Sequence, residues 1–201
     1  MHDSTVTRPC AVSIAVRAMM AEKGVPSVAA AAVASTTPPR LAGRDLAVAW
    51  LRGAGFDLYT RKSNRPDGGQ FGFAVAGGRV RGHVDGIIAA GPEGLGLAVP
   101  ALWECKTMNA KNWRLCVKDG VTLAKPVYAA QIALYQAYME ASVPGISAAP
   151  AVFTAINKDT AEMHHELVPF DAALAQRMSD RAVRILRATD AGELLPRIAT
   201  N

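Results

Sequence analysis

The chain has 201 residues, of which 50% are hydrophobic and 19% are charged, and this composition is typical of a globular protein with its own core. No apolar run is long enough to span a bilayer, so a membrane partner is not expected. Three dispersed cysteines (Cys10, Cys105 and Cys116) do not have the spacing of a disulfide framework or of a cysteine-based zinc or iron–sulfur site, and they fit a reducing cytoplasm.

The N-terminal part of the chain is predicted to hold one helix and a linker. Apolar residues from Val12 to Met20 recur with helical spacing and predict a helix over residues 11–23. Pro38 and Pro39 predict a linker. We therefore assign residues 1–40 to an N-terminal helix and linker, and residues 41–201 to one folded domain that begins with a second helix over 41–54.

The middle of the chain is predicted to be mostly strands. A short strand is expected over 56–60, followed by a hairpin of strands 71–76 and 80–89 joined by Gly77-Gly78. After a turn at 91–96, residues 97–107 form an apolar strand that is expected to be central in a sheet. The mixed polarity of residues 107–123 predicts a loop with one helical turn.

The last part of the chain alternates helices and strands. Pro126 is expected to open a helix that runs to about Ala141. Strands are predicted over 149–156 and 162–168 as an antiparallel pair, and Asp171 is a suitable N-cap for a final helix. The order of these elements predicts an α/β (α+β) fold with a central mixed β-sheet flanked by helices.

Charged residues on two neighbouring strands are the main candidates for chemistry. Because side chains alternate along a strand, Glu104 and Lys106 should share one face and Cys105 should lie on the other. Asp85 lies near the middle of the preceding predicted strand and can approach Glu104 if the two strands pair. Two carboxylates in contact repel each other unless a cation separates them, and hard oxygen ligands suit Mg²⁺ or Mn²⁺.

Lys106 has a clear use beside such a metal. Its ammonium can orient the attacking water or stabilise a pentacovalent phosphorus, and a pKa lowered near the metal would let it take part in proton transfer. The alternative is a surface ion pair between Glu104 and Lys106. The apolar residues Leu102 and Trp103 before them argue against a wholly exposed pair, because charges on a buried strand require a reason.

Asp85 followed by Glu104-Cys105-Lys106 resembles the D…(D/E)-x-K pattern of the PD-(D/E)XK nuclease superfamily. Gln131 and Tyr135 in the following helix add a Q-x-x-x-Y pattern, which resembles the RecB-like and lambda-exonuclease-like branch. The resemblance covers residues 82–138. It implies a restriction-endonuclease-like core and a Mg²⁺-dependent DNA exonuclease of phage or bacterial recombination or repair, with Mn²⁺ expected to substitute for Mg²⁺.

The resemblance also implies roles for single residues. Asp85, Glu104 and the backbone carbonyl of Cys105 would hold the metal, while Lys106 would act on the nucleophilic water. Gln131 and Tyr135 would position the metal-water shell and the DNA. Tyr128 and Tyr138 lie on the same stripe and are core candidates.

Two further residues have open roles. Many relatives carry a metal-binding acidic residue on an early helix, and Asp45 is the nearest candidate; exposed helix surface is the alternative. His83 precedes Asp85 by two positions, so it could touch the metal shell or serve as a structural histidine.

Basic residues surround the candidate site in sequence. The net charge is +5, and two basic segments point to a phosphate backbone. The candidate phosphate-contacting residues are Lys111, Arg114, Lys118, Lys125, Arg61 and Lys62. Trp113 could stack a base or pack against the core.

The expected partner is linear double-stranded or single-stranded DNA, in the cytoplasm of a bacterium or a phage-infected cell. A homo-oligomer or a recombination partner protein is also compatible with the resemblance. Two alternatives remain open for the function: a restriction-type or structure-specific endonuclease, and a non-catalytic nucleic-acid-binding module that retains the nuclease fold.

Overall fold

The computed structural model describes residues 39–62 and 68–196. The helix predicted over 11–23 and Cys10 lie outside these residues. The helices are α1 (Pro39–Gly53), α2 (Ala110–Ala124), α3 (Pro126–Met139) and α4 (Ala172–Ala191). The strands are β1 (Asp57–Tyr59), β2 (Gly72–Val75), β3 (Val80–His83), β4 (Gly86–Ala90), β5 (Ala101–Met108), β6 (Ala151–Asn157) and β7 (Met163–Val168).

Five strands form one mixed sheet in the order β1-β4-β5-β6-β7. Strand β5 is central: it pairs antiparallel with β4 and parallel with β6. Strands β2 and β3 form a separate antiparallel hairpin. The predicted fold class, with a central mixed sheet flanked by helices, is confirmed for the described residues.

The alternation of side chains along β5 divides the core into two clusters. Ala101 and Trp103 face one side of the sheet, where Leu51 of α1 is also buried. Leu102 faces the other side, where it belongs to the same cluster as Ile132 of α3. Strand β5 is thus apolar on both faces, which explains its near-continuous apolar sequence.

Asp85 does not lie in the middle of a strand as predicted. The expected strand over 80–89 is two strands, β3 and β4, which belong to different sheets and meet at Val84 and Asp85. The side chain of Asp85 explains the interruption, because its Oδ2 accepts the backbone N–H of Cys105 at 3.0 Å. This carboxylate, rather than a backbone carbonyl, binds that edge of β5.

The prediction of a loop over residues 107–123 was wrong, because most of this segment forms helix α2. Asn109 caps the helix by accepting the N–H of Asn112 at 2.9 Å, and Cys116 and Val121 are its buried residues. Gly120 interrupts the helix with a φ of 75°, where the neighbouring N–H of Val121 donates to Glu166. The polar residues that suggested a loop lie on the exposed face of an amphipathic helix.

Three smaller boundaries also differ from the predictions. Helix α1 begins at Pro39, inside the predicted linker. Strand β5 begins at Ala101, not at residue 97, and the β2–β3 loop has four residues, 76–79, rather than two. The second helix, the helix opened by Pro126 and the antiparallel β6–β7 pair are confirmed. Asp171 caps α4 as predicted, since it accepts the N–H of Leu174. None of the helices in the described ranges is both long and apolar enough to cross a bilayer.

The start of β4 depends on a close approach of backbone and side chains at Gly86. A Cβ there would lie 2.8 Å from Leu58 Cδ1 and 3.0 Å from the carbonyl oxygen of Tyr59. We expect Gly86→Ala to lower the free energy of unfolding by about 1–3 kcal/mol in urea titrations. Gly53→Ala is the matched control, since a Cβ at that helical position meets no atom within 4 Å. It should stabilise the protein by up to about 1 kcal/mol, and equal effects of the two changes would contradict this packing.

Candidate active site

Glu104 is a carboxylate buried in the central strand. Its side chain is only 1% exposed. One oxygen, Oε1, accepts hydrogen bonds from Lys106 Nζ on the same strand and from Gln131 Nε2 on α3, the latter at 2.9 Å. The predicted placement of Glu104 and Lys106 on one face is confirmed, and their ion pair is largely buried rather than on the open surface.

The second oxygen of Glu104, Oε2, is buried and has no hydrogen-bond partner. Burial raises the pKa of this carboxyl to about 7; the charge of Lys106 opposes the shift, whereas the nearby charge of Asp85 adds to it. A buried acceptor without a partner is energetically costly. A proton or a cation bound at Oε2 would therefore remove this energetic cost.

Asp85 is held by the central strand and by helix α1. Its Oδ2 accepts the Cys105 N–H, and its Oδ1 lies 3.3 Å from Nε of Arg44 on α1. Arg44 Nη2 also donates to the backbone carbonyl of Asp85 at 2.9 Å. With a side-chain exposure of 19%, Asp85 remains partly accessible beside the more deeply buried Glu104.

Lys106 is a partly buried ammonium. Burial lowers its pKa, but the charge of Glu104 and the hydrogen bond to it outweigh burial, so the net pKa is raised. The Nζ atom lies 5.5 Å from the centre of the Tyr128 ring, at cation–π distance. In this arrangement Lys106 is a cation that donates hydrogen bonds, and it is not a proton acceptor near neutral pH.

Gln131 and Tyr135 reach the site from successive turns of α3. Gln131 donates to Glu104, and its hydrogen bond to Tyr135 opposes the rise in the Tyr135 pKa that burial causes. The Tyr135 ring contacts Phe73 edge-on, with centroids 5.5 Å apart. A Cβ at Gly82 would lie 2.7 Å from Tyr135, so this glycine permits the close packing of the hairpin on α3.

Cys105 offers only its backbone to the site. Its side chain packs with the cluster that includes α1, on the face opposite to Glu104, and burial raises the pKa of the thiol. A protonated thiol is a poor metal ligand. The side-chain oxygens of Asp85 and Glu104 and the Cys105 carbonyl would be the hard donors of a metal site, and the unpartnered Oε2 of Glu104 fits a hard cation such as Mg²⁺.

The early helix contributes Arg44 where the sequence had suggested Asp45. Asp45 is exposed, and within the described ranges no three His, Cys, Asp or Glu side chains group as metal ligands. Arg44 was missed, although it lies three residues before Ala47 and seven before Leu51, both fully buried. That spacing was the available signal that Arg44 faces the sheet.

His83 is exposed at the end of β3, before the break that separates it from the strand face of Glu104. Trp113 packs against the core, and its Nε1 donates to the carbonyl of Ala155 at 3.1 Å. Tyr138 contacts Ser179 through its hydroxyl at 2.8 Å, whereas Tyr128 lies against Phe153 and Lys106. Packing therefore accounts for Trp113 and Tyr138.

The basic candidates fall into two groups on different elements. Lys111, Arg114 and Lys118 are exposed along one face of α2, where their spacing of three and four residues aligns them. Lys125 is partly buried and donates to Asn112 at 2.8 Å.

Arg61 and Lys62 are exposed in the segment after β1. Arg61 lines a cavity of about 380 Å³ together with Arg44, Arg52 and Gln70. The basic candidates thus lie on two separate segments, and the cavity beside the second segment is also lined by Arg44, which contacts Asp85.

Comparison of the chain with known proteins gave no match among protein-family models, among curated proteins or among solved structures.

The raised pKa of Glu104 makes stability depend on pH. Between about pH 4.5 and 7 this carboxyl is protonated in the folded chain and ionised in the unfolded chain. The folded chain then binds more protons, so the free energy of unfolding falls as pH rises through this window and levels off above it. From pH 5 to 8, the free energy of unfolding of the parent should fall by up to about 3 kcal/mol more than that of the Glu104→Gln variant.

Urea titrations in EDTA at several pH values measure this difference. All other ionisable groups are common to both proteins, so they largely cancel in the comparison. Parallel pH profiles for the parent and Glu104→Gln would show that the carboxyl titrates normally despite its burial.

Proposed function

We propose that this protein is a Mg²⁺-dependent deoxyribonuclease that hydrolyses phosphodiester bonds, and that it acts as a DNA exonuclease in phage or bacterial recombination or repair. The observation that carries the proposal is the buried Glu104. One of its oxygens is bound by Lys106 and Gln131, and the other is unpartnered. Asp85, attached to the adjacent residue Cys105, completes the set.

Each residue of the set has a role that follows from its position. Asp85, Glu104 and the Cys105 carbonyl would hold the metal, which, when bound, polarises the phosphoryl oxygen and activates the attacking water. Lys106, as an ammonium, donates to the water or to the charged phosphoryl oxygens. Gln131 fixes the Glu104 carboxylate, and Tyr135 supports Gln131 from the next turn of α3.

The fold supports the same proposal. The E-x-K residues lie on the central strand of a mixed sheet, and helices cover both faces. We infer that this arrangement is a restriction-endonuclease-like core. A cytoplasmic location, and a homo-oligomer or a recombination partner protein, remain expectations of the same proposal.

The exposed face of α2 supplies a path for a phosphate backbone. Helix α2 begins directly after β5, and Trp113 binds the carbonyl of Ala155, the residue of β6 that lies beside Lys106. The first two turns of α2 therefore start near the end of β5 that carries Lys106. Lys111 and Arg114 lie on these turns, which is why we assign phosphate contacts to them first.

Lys106→Ala tests the enzymatic proposal. The parent should degrade linear DNA with Mg²⁺ or Mn²⁺ and not with EDTA, and the variant should be slower by about 10²–10⁴-fold, since it loses the donor to the reacting groups. The readout is acid-soluble nucleotide released from labelled DNA. Lys158→Ala removes a half-exposed lysine from an ion pair with Asp159 and should retain parental activity.

Closed circular DNA separates the exonuclease from an endonuclease, because an exonuclease leaves it intact. A parent protein that binds DNA in Mn²⁺ without cleaving single-stranded or double-stranded substrates would contradict the enzymatic proposal. That result would support a non-catalytic nucleic-acid-binding module.

The basic face of α2 makes a separate prediction about salt. Changing Lys111, Arg114 and Lys118 together to Gln should reduce the slope of log affinity against log salt by about 2–3, because each phosphate contact contributes about 0.9 on duplex DNA. Fluorescence anisotropy in EDTA measures this slope without cleavage.

A matched control removes three exposed arginines from α4: Arg177, Arg181 and Arg184. It changes the net charge equally and should leave the slope close to that of the parent. Equal slopes for the α2 and α4 variants would show that net charge alone, rather than the face of α2, attracts the DNA.

A further inference from the structure

Arg44 is a residue of α1 whose side chain extends to the active site, and the packing of the helix fixes its position. Ala47 and Leu51, on the same helical face, are fully buried against the sheet. A Cβ at Gly43 would lie 2.9 Å from Thr107 Cγ2, which shows how closely α1 approaches β5 next to Arg44. The guanidinium is thus brought to Asp85 by the packing of the whole helix and not by a loose surface side chain.

The two contacts of Arg44 to Asp85 differ in kind. Nη2 donates to the backbone carbonyl oxygen at 2.9 Å, whereas Nε faces the carboxylate oxygen Oδ1 at 3.3 Å and is buried without an aligned hydrogen bond. The hydrogen bond from Nη2 to the carbonyl can persist when the contact between Nε and Oδ1 is broken. Asp85 Oδ2 is bound to the Cys105 N–H, so Oδ1 is the carboxylate oxygen that a competing cation can reach by displacing only Nε.

Arg44 binds the Asp85 carboxylate, and a divalent cation at this site would bind the same carboxylate. The positive charge of Arg44 also acts on Glu104, whose pKa it lowers. Two cations at one partly buried carboxylate repel each other strongly, because the effective dielectric constant there is well below that of water. A guanidinium in this position would consequently oppose the binding of a metal at Asp85 while it holds the carboxylate in place.

We propose that Arg44 is a positioning residue that competes with the divalent cation for Asp85 and thereby sets the affinity of the site for that cation. The inference rests on the proposed function, because it requires Asp85 to be a metal ligand. Arg44 fixes the backbone and the carboxylate of Asp85 when the site carries no divalent ion. With a cation bound, Nε would no longer pair with Oδ1, whereas Nη2 would keep its hydrogen bond to the Asp85 carbonyl and hold the guanidinium beside the site.

The test is the affinity for Mn²⁺ alone, measured by electron paramagnetic resonance of free Mn²⁺ at pH 8. Arg44→Gln removes the charge and should bind Mn²⁺ about tenfold more tightly, which corresponds to about 1.4 kcal/mol. Arg44→Met is a second neutral variant in case the first does not fold, and urea titration checks both. Arg44→Lys keeps the charge and should bind as the parent does.

Arg79→Gln is the matched control. Arg79 also pairs with a carboxylate, Asp190 at 2.7 Å, but this pair is exposed on the surface. Its loss should leave Mn²⁺ affinity unchanged. The loss of a purely structural arginine would weaken metal binding, so a gain in affinity distinguishes competition from simple support.

Asp85→Asn identifies the site in the same experiment. If the parent binds Mn²⁺ in an Asp85-dependent manner but the folded neutral variants bind it equally or more weakly, the inference about Arg44 is wrong and the proposed function stands. If Arg44→Lys gains affinity as Arg44→Gln does, charge is not the cause, and the inference is likewise wrong. A parent without Asp85-dependent Mn²⁺ binding would overturn both the proposed function and the inference.

Discussion

The burial of the Glu104 carboxylate is the constraint on which the rest of the site depends. A charged group that is 1% exposed on a central strand requires partners, and the chain supplies them from the same strand and from α3. These partners satisfy one oxygen and leave the other without a hydrogen bond. The raised pKa of the carboxyl follows from this incomplete compensation. Stability and the proposed chemistry therefore depend on the same carboxylate.

The site also joins the two faces of the sheet. Helix α3 reaches Glu104 from one face, and α1 reaches Asp85 through Arg44 from the other. Asp85 lies between strands that belong to different sheets, so its carboxylate can bind the backbone of β5 directly. The interruption between β3 and β4 thus gives Asp85 contacts with both β5 and α1. The small residues Gly82 and Gly86 on either side permit the close packing that this geometry needs.

Local patterns in the sequence predicted much of this arrangement. The alternation of side chains along a strand placed Glu104 and Lys106 on one face of the sheet. Pro126 marked the start of the helix that carries Gln131. Features that depend on contacts with another strand or helix were not predicted. The break at Asp85 arises from a side chain that binds another strand, and α2 resembled a loop because Gly120 and its polar face obscured the helical period. Arg44 was overlooked because a charged residue is expected to face solvent, although its spacing to Ala47 and Leu51 places it on the helical face that packs on the sheet.

A crystal structure of the protein grown with Mn²⁺ tests the central claim most directly. The anomalous signal of manganese locates the ion without assumptions about the surrounding atoms. The account predicts one peak at about 2.2 Å from carboxylate oxygens of both Asp85 and Glu104, with the oxygens as hard ligands. It would be contradicted by manganese bound only elsewhere, or by no bound manganese, with Asp85 still paired to Arg44 and Glu104 to Lys106.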